Sequence, residues 1–207
     1  MKNVKILSLM LVGLMMTRVS SGQNILGSAH DFSGDTWNTT TEICIVCHTP
    51  HNADGSITDA PLWNHQITGQ PSFTLYASST LDATMGQPDA SSKLCLSCHD
   101  GLTAVDNFGG TTTGTQFITG TADIGTDLSD DHPVSFTYDA ALATADGDLN
   151  DPTVATSGMG STINADMLFS GKMQCASCHD VHNGSGEVSM LIKSNSASGL
   201  CLTCHTK

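Results

Sequence analysis

One short motif, repeated four times, constrains this chain more than any other feature of its sequence. In each copy, two cysteines separated by two residues are followed at once by a histidine. The cysteine pairs are Cys44/Cys47, Cys95/Cys98, Cys175/Cys178 and Cys201/Cys204, and the histidines are His48, His99, His179 and His205. The pairs account for all eight cysteines of the 207-residue chain. Any fold of this chain must therefore accommodate four C-x-x-C-H turns.

The spacing within the motif has a chemical reason. Two thiols three residues apart on a helical turn can bond the two vinyl groups at one edge of a porphyrin, and the imidazole of the next residue then reaches the iron. Zinc sites of four thiolates, or a disulfide framework, would explain the cysteine pairs but not the histidine after every pair. The sequence therefore predicts four covalently attached haem c groups. The eight cysteines are the attachment residues and the four motif histidines are iron ligands.

Longer stretches around the motifs are also repeated. The matching stretches are CIVCHTPHN at 44–52 and CASCHDVHN at 175–183, KLCLSCH at 93–99 and GLCLTCH at 199–205, and HDFS at 30–33 and HPVS at 132–135. The distance between copies is not constant, which argues against a solenoid. The repeat predicts a first di-haem module at 23–128 and a second at 129–207.

Five histidines lie outside the motifs, while four irons need four further ligands. The repeat nominates His30, His51, His132 and His182 as distal ligands and leaves His65 without a counterpart. His51 and His182 each follow a motif histidine by three residues, which on a helical turn separates the Cβ atoms by about 5–6 Å. That distance is too short to reach the opposite face of the same porphyrin. Each is therefore expected to bind a different haem, with methionine as the alternative axial ligand.

The N-terminus predicts export. Residues 1–22 contain Lys2 and Lys5, then the apolar run Ile6–Met16 and small residues, which is typical of a signal peptide. No later segment is apolar enough to span a membrane. Because thioether haem attachment occurs outside the cytoplasm, the protein is expected at the extracellular surface or in a filament, or otherwise in the periplasm.

Charge and composition limit the kinds of partner that the protein can bind and the fold class that it can adopt. Removal of residues 1–22 would leave four basic residues against 20 acidic ones, which disfavours nucleic acid and anionic lipid as partners. Aromatic residues are 5% of the chain, so the polypeptide alone can build little apolar core. The expected fold is mostly irregular, with short α-helices at the haem-attachment motifs and minor β structure, wrapped around a stacked haem chain. Helical turns are predicted at Thr41–His48, Ser92–His99, Met173–His179 and Ser198–His205, and a strand within Pro133–Tyr138.

Several stretches resemble a known family. HDFS, EICIVCHTPHN, PLW, TLYASSTLDA, SKLCLSCHDG, DHPVSF and CASCHDVHN are similar to segments of multihaem c-type cytochromes with doubled C-x-x-C-H motifs, in particular the OmcE-type tetrahaem extracellular cytochromes, which polymerise into filaments. The resemblance implies bis-histidine haems stacked in line and, in polymerising members, a distal histidine supplied by the neighbouring subunit. His30, close to the predicted cleavage site, is the candidate for that crossing ligand.

Electron transfer, rather than catalysis, is the function that these observations predict. The chain is expected to be a tetrahaem subunit of a conductive extracellular filament, a homo-polymer that exchanges electrons with redox partner proteins or extracellular acceptors. A monomeric periplasmic shuttle is the first alternative. A multihaem reductase is another, but it needs an iron with an open position, and the histidines suffice to close every iron. A purely structural fibre subunit would leave four cofactors unexplained.

Overall fold

A computed structural model describes residues 22–207, and turns and loops predominate over regular secondary structure, as the sequence predicts. Residues 1–21, which carry most of the predicted signal peptide, lie outside the described part. The α-helices are α1 Ala90–His99, α2 Ala140–Asp146, α3 Ile163–Asp166 and α4 Cys201–Cys204, and the strands are β1 Phe136–Thr137 and β2 Lys172–Met173. Short 3-10 helices occur at Gly22–Ile25, Gly120–Ala122, Cys175–Ser177, Val188–Met190 and Ser196–Ser198. Within residues 22–207, no helix combines the length and apolar character that a membrane crossing requires.

Three of the four motifs contain an α-helix or a 3-10 helix, and the first does not. The second motif occupies the last turns of α1, the third begins with the 3-10 helix Cys175–Ser177, and the fourth is α4. The helical turn predicted at Thr41–His48 is confirmed over its second half, where the His48 amide donates to the Cys44 carbonyl at 2.8 Å. The turn does not extend back to Thr41, whose φ of 57° is left-handed. The first motif is therefore a single turn.

A small antiparallel sheet and a compact apolar cluster organise the second half of the chain. Phe136 of β1 lies opposite Met173 of β2, which confirms the strand predicted within Pro133–Tyr138. The larger buried cluster consists of Phe136, Tyr138, Ala143, Ile163, Met167, Leu168, Met173, Leu200 and Cys204. A second cluster has only Phe73, Leu96 and Leu128 as buried members. The apolar core is therefore concentrated after residue 135.

The two predicted modules meet at a buried polar network centred on Gln174, whose side chain is 1% exposed. Its Oε1 atom accepts hydrogen bonds from the hydroxyls of Ser92 and Ser135, and its Nε2 atom donates to Asp89 Oδ1 at 2.7 Å. The Ser92 hydroxyl also accepts from the amide of Cys175 at 3.0 Å. The network thus fixes α1, with the second motif, against the start of the third motif.

We expect the Gln174→Ala substitution to destabilise the haem-loaded protein by about 3 kcal/mol, because it leaves the hydroxyls of Ser92 and Ser135 without their shared acceptor in a buried site. Denaturant unfolding would measure the change in the free energy of unfolding. The control is Gln116→Ala at an exposed position, where a change within about 0.5 kcal/mol is expected. Equal effects of the two substitutions would contradict a structural role of the network.

Candidate functional site

Each C-x-x-C-H motif closes on itself through one backbone hydrogen bond. The amide of the motif histidine donates to the carbonyl of the first cysteine four residues earlier. The N–O distances are 2.8 Å for His48–Cys44, 3.0 Å for His179–Cys175 and 3.0 Å for His205–Cys201, and the second motif lies within α1. All eight cysteines are free thiols. One helical turn therefore carries both thiols and the imidazole, as thioether attachment of a porphyrin requires.

Three motif histidines have Nδ1 held by a backbone carbonyl. The N–O distances are 2.6 Å for His48–Pro61, 2.6 Å for His99–Ala122 and 3.0 Å for His179–Ser189. A carbonyl can only accept, so Nδ1 carries the proton and Nε2 keeps its lone pair. Histidines that bind metal ions are typically fixed in this way by the ring nitrogen that does not bind the metal. The chain thus sets the tautomer needed for an iron ligand.

The structure brings three of the motif histidines against a second imidazole. Ring centroids are separated by 6.0 Å for His30–His99, 6.1 Å for His48–His182 and 6.3 Å for His132–His205. With metal–nitrogen bonds of about 2 Å, two imidazoles on opposite sides of one metal ion would have centroids about 6–6.5 Å apart. The separations therefore fit bis-histidine ligation of a haem iron.

Burial keeps two of the predicted distal histidines neutral. It lowers the pKa of His30 to about 4, an effect reinforced by the neighbouring His99, His179 and His182. It also lowers the pKa of His132, whose Nδ1 lies 2.9 Å from the carbonyl oxygen of Pro133. A neutral imidazole has a free lone pair, so both rings are in the state that binds iron.

His51 and His179 differ from the other candidates. Among the described residues, no second imidazole lies against His179 at a separation like those of the other three pairs. His51 is exposed, and its backbone is fixed by the Thr49 hydroxyl, which accepts from the His51 amide at 3.4 Å and donates to the His51 carbonyl at 2.9 Å. Within one chain, three imidazole pairs are therefore assembled, and one motif histidine and one predicted distal histidine remain apart.

The sequence repeat is also a repeat of backbone structure. In each module, a later segment crosses the first motif and makes three hydrogen bonds to equivalent positions. The bonds are His48 Nδ1–Pro61 O, Thr49 N–Leu62 O and Asn64 N–Cys47 O in the first module, and His179 Nδ1–Ser189 O, Asp180 N–Met190 O and Ile192 N–Cys178 O in the second. The asparagine that ends both copies of C-x-x-C-H-x-x-H-N is left-handed, with φ of 57° at Asn52 and 54° at Asn183. Asparagine tolerates this conformation better than most residues.

Large apolar side chains are left exposed close to the motifs. Val188 is 83% exposed beside the residue that bonds His179, and Leu62 is 58% exposed beside the residue that bonds His48. Four further apolar residues close to the motifs are also exposed. Leu102 and Val181 shortly follow a motif, the Ile124 amide donates to the His99 carbonyl, and Leu202 lies within the fourth motif. Such positions would be covered by a large apolar group attached at the motifs, so the surface fits a porphyrin.

The second and third motifs are in contact. The thiols of Cys95 and Cys175 interact, which raises the pKa of Cys95 and lowers that of Cys175. His65, for which the sequence offers no counterpart, is buried, with Nδ1 and Nε2 at 3.7 and 3.6 Å from Cys98 Sγ. Contact between motifs of different modules could not be read from the sequence, because it depends on how α1 packs.

Comparison with known proteins supports this reading for the C-terminal part of the chain. Residues 168–207 match the family described as Doubled CXXCH motif. The matched part contains the third and fourth motifs, which are closer together than the first and second. No curated protein matches the chain. Together with the repeated motifs, the match indicates a multihaem c-type cytochrome that binds haem covalently through its C-x-x-C-H motifs.

Proposed function

We propose that the protein is an exported tetrahaem c-type cytochrome that carries electrons along closely spaced bis-histidine haems. The observation that carries the proposal is the set of three imidazole pairs, each of which joins a motif histidine to a histidine outside the motifs at 6.0–6.3 Å. Sequence distance does not explain the pairs, since His48 and His182 belong to different modules. Three imidazole pairs at this separation are the arrangement that bis-histidine ligation of metal ions requires.

The residues of each motif have separate tasks. The two thiols would hold a porphyrin edge through thioether bonds, and in the first three motifs the imidazole leaves Nε2 free because Nδ1 is held by a carbonyl. At the first, second and fourth motifs, the paired histidine would be the second iron ligand and would exclude water and small ligands. When bound, a haem with two imidazole ligands accepts and releases one electron. Contact between the second and third motifs at the Cys95–Cys175 junction would bring their cofactors close together, so that electrons pass between the modules.

Intact mass spectrometry of the secreted protein tests this proposal. Four attached haem groups are expected in addition to the mass of the processed chain, because all four motifs have complete attachment residues. Variants with alanine at both cysteines of one motif should each lose one haem. Three or fewer haems in the unmodified protein would contradict the proposed count.

We also propose that copies of the chain join into a filament of the OmcE type, with redox proteins or extracellular acceptors as electron partners. The support is the pair of residues left over within one chain. Among residues 22–207, no imidazole lies at 6.0–6.3 Å from that of His179, and His51 is exposed. The repeat makes His51 the counterpart of His182, and His182 lies against His48 in the first motif of the other module. The role of crossing ligand thus passes from His30, which lies against His99 of its own chain, to His51.

The His51→Ala substitution should leave four haems attached, abolish filaments and turn one iron high-spin, because the His179 iron would lose its second ligand. Electron microscopy and electron paramagnetic resonance (EPR) measure the two effects. Ser56→Ala, at an exposed position of the same loop, is the control and should change neither. Filaments with only low-spin iron in the His51→Ala variant would rule out His51 as the crossing ligand.

A second function is favoured by His179, which has no second imidazole at a ligand separation among residues 22–207. If the unmodified protein is monomeric with one high-spin iron that binds cyanide, the site at His179 is open, and the protein is a reductase or a shuttle with one accessible haem. The same two measurements on the unmodified protein decide between this function and the filament.

A further inference from the structure

The structural repeat places a lysine where the first module has its unassigned histidine. Asn64 and Ile192 donate to equivalent carbonyls of the first motif in their modules, at 2.9 Å in both cases. The next residue is His65 in the first module and Lys193 in the second. The two side chains are therefore structural counterparts although their chemistry differs.

Both side chains lie beside the last cysteine of the next motif. His65 approaches Cys98 Sγ to 3.6 Å. The Lys193 ammonium donates at 3.0 Å to the hydroxyl of Thr203, which immediately precedes Cys204. In each module, the residue after the crossing segment thus stands next to the attachment site of the second haem.

The position of Lys193 is defined by several contacts. Its Nζ atom also donates to the carbonyl of Ser157 at 2.7 Å, and the side chain is half-buried. The Thr203 hydroxyl donates to the carbonyl of Gly199 at 2.9 Å, which leaves its lone pair for the lysine. Gly158, with φ of 76°, provides the space, since a Cβ atom there would lie 3.0 Å from Lys193 Nζ. A positive charge is therefore held at one place beside the fourth motif.

The two side chains contact different groups. Both ring nitrogens of His65 lie against backbone carbonyls, Nδ1 at 2.8 Å from the Gln66 oxygen and Nε2 at 3.0 Å from the Ala104 oxygen. Lys193 instead places an ammonium group against the Ser157 carbonyl and the Thr203 hydroxyl, one residue before Cys204. The fourth motif thus has a lysine ammonium beside it where the second motif has an imidazole.

We propose that the Lys193 ammonium raises the reduction potential of the haem attached at Cys201 and Cys204. This rests on the proposed haem attachment. Reduction adds one electron, taken from an adjacent haem or a redox partner that is thereby oxidised, and no bond is made or broken. A fixed positive charge stabilises the added negative charge.

Replacement of Lys193 by methionine, which is long and uncharged, should lower one of the four midpoint potentials. We expect the equilibrium constant for reduction of that haem to fall about tenfold, which corresponds to about 59 mV for one electron. Redox titration followed by EPR resolves the separate irons. Lys193→Arg retains the charge and should leave the potentials close to those of the unmodified protein.

Lys207→Met is the matched control, because it removes the same charge from a side chain that pairs with Asp148 at the surface, where Lys207 is 77% exposed. It should shift no single potential. If Lys193→Met fails to mature, Lys193→Gln keeps a donor for Ser157 and Thr203 without the charge, and the same shift is expected. Unchanged potentials overturn the proposal, as would failure of both variants to mature, which would assign Lys193 a folding role. Fewer than four haems in the unmodified protein would instead refute the proposed function, and intact mass reveals this before any potential is measured.

Discussion

Produced without haem attachment, the chain will not fold to the structure described above. Among the described residues, the first module has only Phe73, Leu96 and Leu128 as a cluster of buried apolar side chains. Such a cluster offsets little of the conformational entropy that is lost on folding. Attached porphyrins would supply the missing apolar surface and would couple folding to haem binding, as metal binding is coupled to folding in small metal-binding domains.

The comparison is between the chain produced in the cytoplasm, without attachment machinery, and the secreted haem-loaded protein. We expect the haem-free chain to show no cooperative thermal transition in circular dichroism and little dispersion of its amide NMR signals. The loss amounts to the whole free energy of unfolding, about 5–15 kcal/mol for an ordinary domain. A cooperative transition of the haem-free chain near the midpoint of the loaded protein would show that the polypeptide builds its own core.

The His132→Ala substitution should convert one of four low-spin irons to high-spin. His132 lies 6.3 Å from His205, is neutral because burial lowers its pKa, and has Nδ1 held by a carbonyl, so Nε2 is available to the iron. Its removal leaves the His205 iron with one imidazole and an open position. EPR of the ferric protein measures the change, and intact mass should still show four haems.

His65→Asn provides the control for a buried histidine without an iron-ligand role. It should leave every iron low-spin, because His65 contacts backbone carbonyls and Cys98 rather than a motif histidine. The opposite pattern, with a high-spin iron after His65→Asn and none after His132→Ala, would exchange the two assignments.

The sequence predictions that the structure supports were based on patterns among residues close together in the chain. The C-x-x-C-H spacing indicated the turns, and the residues of Pro133–Tyr138 indicated a strand, because both depend on neighbours in the chain. The helical turn predicted at Thr41–His48 is shorter than expected, because it covers only residues 44–48 and Thr41 before it is left-handed. The pairing of His48 with His182 and the equivalence of His65 and Lys193 depend on packing between distant segments. Sequence spacing alone does not contain that information.

The pairing of His48 with His182 has a consequence for symmetry. In a closed pair of modules, the histidine three residues after the first motif of each module would bind the iron of the other module. The same surface would then form the contact on both sides. Here His182 of the second module lies against His48 of the first, while His51 of the first module does not lie against His179 of the second. Only one of the two possible pairings is formed within the chain. An unpaired distal histidine, His51, therefore remains at one place on the molecule, and an unpaired motif histidine, His179, at another. Contacts of that kind are heterologous, and unless the rotation between copies closes a ring, they repeat without limit.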